Sequence, residues 1–174
     1  MLQQLAEDCP DKHEYRLELA RLYTYGYRYL PGGPERVLNL CINLAHQLVA
    51  EAPDVPEYWK ELAGGYNNLA GIQDGQGRFA EAETNARENL HWSEKLAAAF
   101  PDEWKYQNQL SNAHNTLGEV FNHSHRFSEA EREYRQAIVS EEKALSRSPS
   151  NPWRRGLLAV FNFNLVLCHL SNDG

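Results

Sequence analysis

The stretch His114-Asn115-Thr116-Leu117-Gly118, followed by Arg126-Phe127-Ser128-Glu129-Ala130-Glu131, decides the fold because it occurs twice. Its counterpart is Tyr66-Asn67-Asn68-Leu69-Ala70 with Arg78-Phe79-Ala80-Glu81-Ala82-Glu83, and both blocks return at the same offset of 48 residues. A fixed offset of that size marks a repeat architecture built from one supersecondary unit. The prolines keep the same rhythm. Pro10, Pro53, Pro101 and Pro149 stand 43, 48 and 48 residues apart and precede Asp11, Asp54, Asp102 and Ser150, residue types that cap helices. Tyr15, Tyr58 and Tyr106 lie five residues beyond the first three.

Each period holds two stretches of helical pattern and no alternating strand pattern, so the unit is a helical hairpin. Seven helices are expected, over about 11–29, 35–52, 55–74, 79–100, 102–123, 128–147 and 151–171. Ser128-x-x-Glu131 reads as a capping box. Pro31-Gly32-Gly33-Pro34 breaks the first hairpin, Gly75-Gln76-Gly77 the second, and His123-Ser124-His125 occupies the matching turn of the third. Small residues, Ala70 with Gly118 and Ala82 with Ala130, fall where helices cross closely. The expectation is an all-α fold of about three and a half hairpins in one domain, 1–174, with repeats near 10–52, 53–100, 101–148 and a partial 149–174.

Composition fits a folded, soluble protein: mean hydropathy is −0.65, with 42% hydrophobic and 24% charged residues. The net charge of −7 disfavours nucleic acid, and the only tight basic cluster is Arg154-Arg155. The apolar stretch 156–170 is too short to span a bilayer and contains Asn162 and Asn164. With no basic-then-apolar leader in its first ten residues, the chain is expected to be cytoplasmic. Cys9, Cys41 and Cys168 are odd in number and far apart, which suits buried hydrophobes better than a disulfide framework or a zinc site.

The run from Asn115 through Phe121, His125 through Ala130, Tyr134 and Ala137 resembles the tetratricopeptide repeat pattern, and 67–82 is a second copy from which Gln73, Ala86 and Asn89 depart. The long period, with phrases such as Ala52-Pro53-Asp54-Val55-Pro56-Glu57-Tyr58, is similar to long-helix repeats found beside kinase domains in large bacterial proteins, notably of planctomycetes. The resemblance covers about residues 10–174. It implies a right-handed α-α superhelix that serves as a protein-binding scaffold, and it supplies no ligand.

Catalytic motifs are weak by comparison. Gly75-x-Gly77-x-x-Ala80 matches a dinucleotide turn but lacks the preceding strand. His-Arg-Asp and Asp-Phe-Gly segments are absent, which argues against a kinase within the chain. His123 with His125, or Glu88 with His91, would supply too few metal ligands, leaving a small metal-dependent helical enzyme as a remote alternative. No enzyme activity, cofactor or metal is expected.

In the resembled family the first helix of each hairpin lines the concave face. Carried over, this assigns Asn67, Asn68, Asp74, Asn112, Asn115, Glu119, Asn122 and Asn164 to a peptide groove, with Arg21, Thr24, Arg28, Gly71 and His123 beside them. A primary amide offers donor and acceptor together and can pair with an extended backbone. Asn68 and Asn164 occupy equivalent places, as in the asparagine ladder of some family members, and Thr116 interrupts the series. The competing reading is that these asparagines are solvated or cap neighbouring helices. The last helix, with Leu157, Leu158, Val160, Phe161, Phe163, Leu165, Val166, Leu167 and Leu170, is apolar on nearly all sides. Either further repeats cover it, or a second copy or a partner does, and the array then serves self-association in a larger regulatory protein.

Overall fold

The computed structural model describes residues 2–9, 11–148 and 152–172. Among them are eight helices and no strand: α1 Leu2–Asp8, α2 His13–Gly26, α3 Pro34–Glu51, α4 Pro56–Gly75, α5 Phe79–Ala99, α6 Trp104–His123, α7 Phe127–Arg147 and α8 Pro152–Asn172. The all-α expectation holds, and α1 is an addition to the seven helices foreseen. It ends at Asp8-Cys9 as α3 ends at Glu51-Ala52, with the Cys9 amide donating to Leu5 O as the Ala52 amide donates to Leu48 O. Pro10, Pro149, Ser150 and Asn151 lie outside the described residues.

Capping differs from expectation. Helices α2, α4 and α6 start two residues after their aspartates, with Lys12, Val55 and Glu103 at the N-cap and no side-chain cap bond. Helix α7 begins at Phe127, which puts Ser128 inside the first turn rather than at its cap. A backbone turn takes over the role: the amides of Tyr15, Tyr58 and Tyr106 donate to the carbonyls of Lys12, Val55 and Glu103.

The hairpin turns do follow the sequence. Gly77 has φ +74 and His125 φ +59, and each ends its helix in the left-handed conformation. The Arg78 amide then donates to Gln73 O at 2.9 Å and the Arg126 amide to Phe121 O at 2.8 Å, the same backbone closure 48 residues apart. Beyond each turn an arginine clasps the preceding odd helix. Arg78 pairs with Glu35 at 2.8 Å and Arg126 with Glu83 at 2.5 Å, while each also binds a carboxylate of its own helix, Glu81 and Glu129.

Every helix packs on the next in sequence. In addition α2 touches α4, α4 touches α6 and α6 touches α8, whereas among the described residues the backbones of α3 and α5, and of α5 and α7, make no close approach and meet through side chains such as the arginine clasps and His46 against Trp92. The even helices therefore form one close layer and the odd helices a more widely spaced one. The core runs between the layers: Leu38, Ala45 and Leu62 join the first two hairpins, and Ala70, Ala86, Leu117, Phe121 and Tyr134 the next two. Full burial of each leucine stabilises by roughly 1.5–3 kcal/mol. The close crossings sit at the small residues the repeat pattern singled out. A Cβ on Gly118 would stand 2.7 Å from the Tyr134 ring.

Two thiols are core atoms. Cys41 and Cys168 are buried and Cys9 is half-buried, all three free, and burial pushes the Cys41 thiol up to about 12. Arg154 is also buried, its guanidinium stacked 3.9 Å above the Trp104 ring. No helix among the described residues is long and apolar enough to cross a membrane.

Candidate functional site

The sequence-chosen asparagines fall on the even-helix layer, and several of them bond to one another across it. The Thr116 hydroxyl donates to Asn67 Oδ1 at 2.8 Å, and Asn164 Nδ2 donates to Asn115 Oδ1 at 2.9 Å. Asn68 Nδ2 donates to the carbonyl of Thr24 at 2.9 Å, satisfying an acceptor in the last turns of α2 that the helix leaves open. Asn68, Thr116 and Asn164 are thus three equivalent rungs that tie α2 to α4, α4 to α6 and α6 to α8. Thr116 does not interrupt the series, because a hydroxyl donates as well as an amide at this spacing.

These rungs consume much of the hydrogen-bonding capacity that a groove would offer. Asn67 Oδ1 accepts from both Thr116 and Asn89, which leaves its amide hydrogens. Asn115 is used at both ends, since its Nδ2 donates to Glu119 Oε1 at 2.8 Å. Thr24 borders the cleft, but it is buried and its hydroxyl, 2.9 Å from Glu61 Oε2, is spent within the fold.

Asp74, Glu119, Asn122 and His123 gather at the turn end of α4 and α6. Asp74 Oδ2 lies 2.7 Å from His123 Nδ1, while Asp74 Oδ1 and Asn122 Oδ1 are buried without a hydrogen-bond partner. Burial holds the Glu119 carboxyl above its ordinary range, and the Asp74 charge adds to the rise. His125 stands edge-on to Phe127. Glu88 and His91 are exposed on α5. Among the described residues no group of three or more His, Cys, Asp and Glu is arranged to hold a metal ion.

What remains open is a cleft along the even helices. One part, about 470 Å³, is lined by Lys60, Gly64 and Asn67 of α4, and by Lys105, Gln109 and Asn112 of α6. A second part, about 480 Å³, shares Asn67 and Asn68 and continues to Arg28, Gly71, Thr116 and Glu119. Gln109 and Asn112 make no side-chain hydrogen bond among the described residues, so their amides face the cleft unspent. Arg28 is exposed and uses only Nε, on the Tyr27 hydroxyl at 2.9 Å. Neither Arg28 nor Lys60 pairs with a carboxylate among the described residues.

Of the eight groove candidates, the cleft is lined by Asn67, Asn68, Asn112 and Glu119. Asp74 and Asn122 border a separate depression with His123 and His125, and Asn115 and Asn164 form a rung. Lys60, Lys105 and Gln109 were missed. Their signal lay in helical spacing: Lys60 stands one turn before Gly64 and two before Asn67, and Lys105 stands two turns and Gln109 one turn before Asn112. Neither a protein-family model nor a curated protein matches the chain.

Proposed function

We propose that this chain is a non-catalytic interaction scaffold of tetratricopeptide-like architecture, a right-handed superhelix whose even helices line the concave side and hold a partner's extended segment. The observation that carries this reading is the cleft across α2, α4 and α6, whose walls present the unspent amides of Gln109 and Asn112 beside the amide hydrogens of Asn67. Groups of that kind can pair with a peptide backbone irrespective of its side chains. Closer approach of successive even helices than of successive odd ones favours curvature toward the cleft. A cytoplasmic setting fits the reduced cysteines.

The test is a lysate pull-down comparing the unmodified chain with a Gln109→Ala, Asn112→Ala double variant of equal helicity. Loss of one specific bound protein from the variant supports the cleft, and an unchanged bound set refutes it. Asn67 and Asn115 are unsuitable probes because their removal breaks rungs between hairpins.

A second reading, self-association within a larger and possibly kinase-containing regulatory protein, is favoured by one observation. Val160, Phe163, Val166, Leu167 and Leu170 of α8 are exposed. Light scattering over a concentration series tests it, since a mass that doubles supports association of copies.

A further inference from the structure

The even helices do not present one chemistry to the cleft side; it changes from helix to helix. Asn112, Asn115 and Glu119 on α6 are followed, 48 residues on, by Val160, Phe163 and Leu167 on α8. The register is the same, because Asn164 repeats the bond of Thr116, and Phe161 and Cys168 are buried where Ala113 and Val120 are. Val160, Phe163 and Leu167 are 49%, 60% and 42% exposed. At the opposite end, the turn that follows α2 contributes Arg28 to the cleft, and Lys60 follows on α4, both without a carboxylate partner among the described residues.

A further hairpin would cover the apolar row only in part. Helix α7 packs on α6 through positions such as His114, bonded to Glu133, and Phe121, in contact with the Tyr134 cluster. The equivalent positions on α8 are Asn162 and His169, both exposed and polar. A helix laid there in the place of α7 would meet those two residues and Val166, the counterpart of Gly118, and a following even helix would meet Phe163, the counterpart of Asn67 and Asn115, but Val160 and Leu167 would stay on the cleft side, as Asn112 and Glu119 do.

Building on the scaffold reading, we propose that the cleft takes an extended protein segment with two directional features: apolar side chains seated on Val160, Phe163 and Leu167 of α8, and carboxylates reaching Lys60 and Arg28. Apolar surface left in water at one end and unpaired cations at the other select those two partners by burial and by charge complementarity. The spacing follows from the fold. Adjacent helices lie about 9 Å apart, so α8 is roughly 18 Å from α4 and 27 Å from α2. At about 3.3 Å per residue, the acidic residues lie roughly five to eight positions from the apolar ones.

The experiment pans a phage-displayed library of random peptides, about fifteen residues long to span the cleft, on the immobilised full chain. Affinities of synthetic peptides are then measured by fluorescence anisotropy. Enriched peptides are expected to carry Phe, Leu, Ile or Val at one end and Asp or Glu at that spacing. Phe163→Ser should weaken them about tenfold or more. Arg28→Glu and Lys60→Glu should each weaken them and flatten the salt dependence. Enriched peptides without acidic residues, or affinities unmoved by Phe163→Ser, overturn this proposal and leave the scaffold reading standing. Enrichment of nothing above background overturns both. A concentration-dependent doubling of mass that Phe163→Ser abolishes assigns the apolar row to a second copy and overturns the peptide proposal.

Discussion

Thr116 and Asn67 stand 49 residues apart and are joined by a 2.8 Å hydrogen bond, which Asn164 and Asn115 repeat one hairpin later at 2.9 Å. The rung is a partly buried bond between neutral groups, worth about 1 kcal/mol net. Thr116→Val keeps the shape and deletes the donor, so it is expected to cost about that amount. Thr116→Asn restores the residue found at both equivalent positions and should fall within about 0.5 kcal/mol of the parent. Urea unfolding midpoints at constant slope measure both, and a loss as large for Asn as for Val would deny the rung its energetic role.

Gly118 and Tyr134 form a size-matched pair, with an added Cβ on Gly118 only 2.7–2.8 Å from the ring. Helix α6 cannot retreat without opening the core cluster around Phe121 and Leu117. Gly118→Ala should therefore cost about 1–3 kcal/mol despite the better helix propensity of alanine. One hairpin earlier the same two positions are Ala70 and Ala86. The double variant Gly118→Ala, Tyr134→Ala reproduces that earlier pair and should be less destabilised than the sum of the single changes, with a coupling of about 0.5–3 kcal/mol. Strict additivity in the cycle would show that the two residues do not share the crossing.

The turn at His125 places a side chain in the left-handed region that Gly77 occupies at the equivalent position. Backbone sterics put the penalty for a residue with a Cβ at about 1–2 kcal/mol, and glycine's greater unfolded-state freedom offsets part of the gain. His125→Gly is expected to raise stability by about 0.5–1 kcal/mol and Gly77→Ala to lower it by about 1 kcal/mol. Nothing lies within 4 Å of a Cβ built at Gly77, so the second change isolates backbone strain from crowding. Thermal midpoints moving in opposite directions would bear this out; a destabilised His125→Gly would mean the imidazole's edge contact with Phe127 matters more than the strain.

The parts of the fold legible in the sequence were those written in local pattern. Gly77 and Pro34 punctuate turns, and the small residues at 70, 82, 118 and 130 announced close crossings because each pattern is read within one hairpin. Helix α1, with Leu2, Leu5 and Ala6 in seven residues, was too short to display a period. The aspartates misplaced the helix starts because Asp11, Asp54 and Asp102 resemble caps, yet a backbone turn fills that role two residues later. The asparagines were legible as a face but not as a function. Whether an amide meets solvent or another hairpin depends on a residue 49 positions away, and Asn115 and Asn164 settle that choice by bonding to each other.

Glu119 ties the cleft to pH. Its half-buried carboxylate accepts one bond from Asn115, faces Asp74 across the α4 and α6 layer, and is raised above its ordinary pKa chiefly by burial, with His123 opposing. A raised folded-state value means the folded chain holds this proton more tightly than the unfolded chain does. The stability Glu119 contributes is therefore fully present below its unfolded-state pKa, about 4.3, and is lost as pH rises through the higher folded value. Glutamine keeps the acceptor for Asn115 and cannot ionise. Glu119→Gln should accordingly be more stable than the parent near neutral pH, with the difference closing toward about pH 4. His123 and Asp74 are present in both proteins, so the difference between the two stability curves isolates Glu119. Urea midpoints across that range are the measurement, and a variant less stable at neutral pH would mean that the ionised carboxylate is favoured in the fold, by His123 or by Arg28 across the cleft they share.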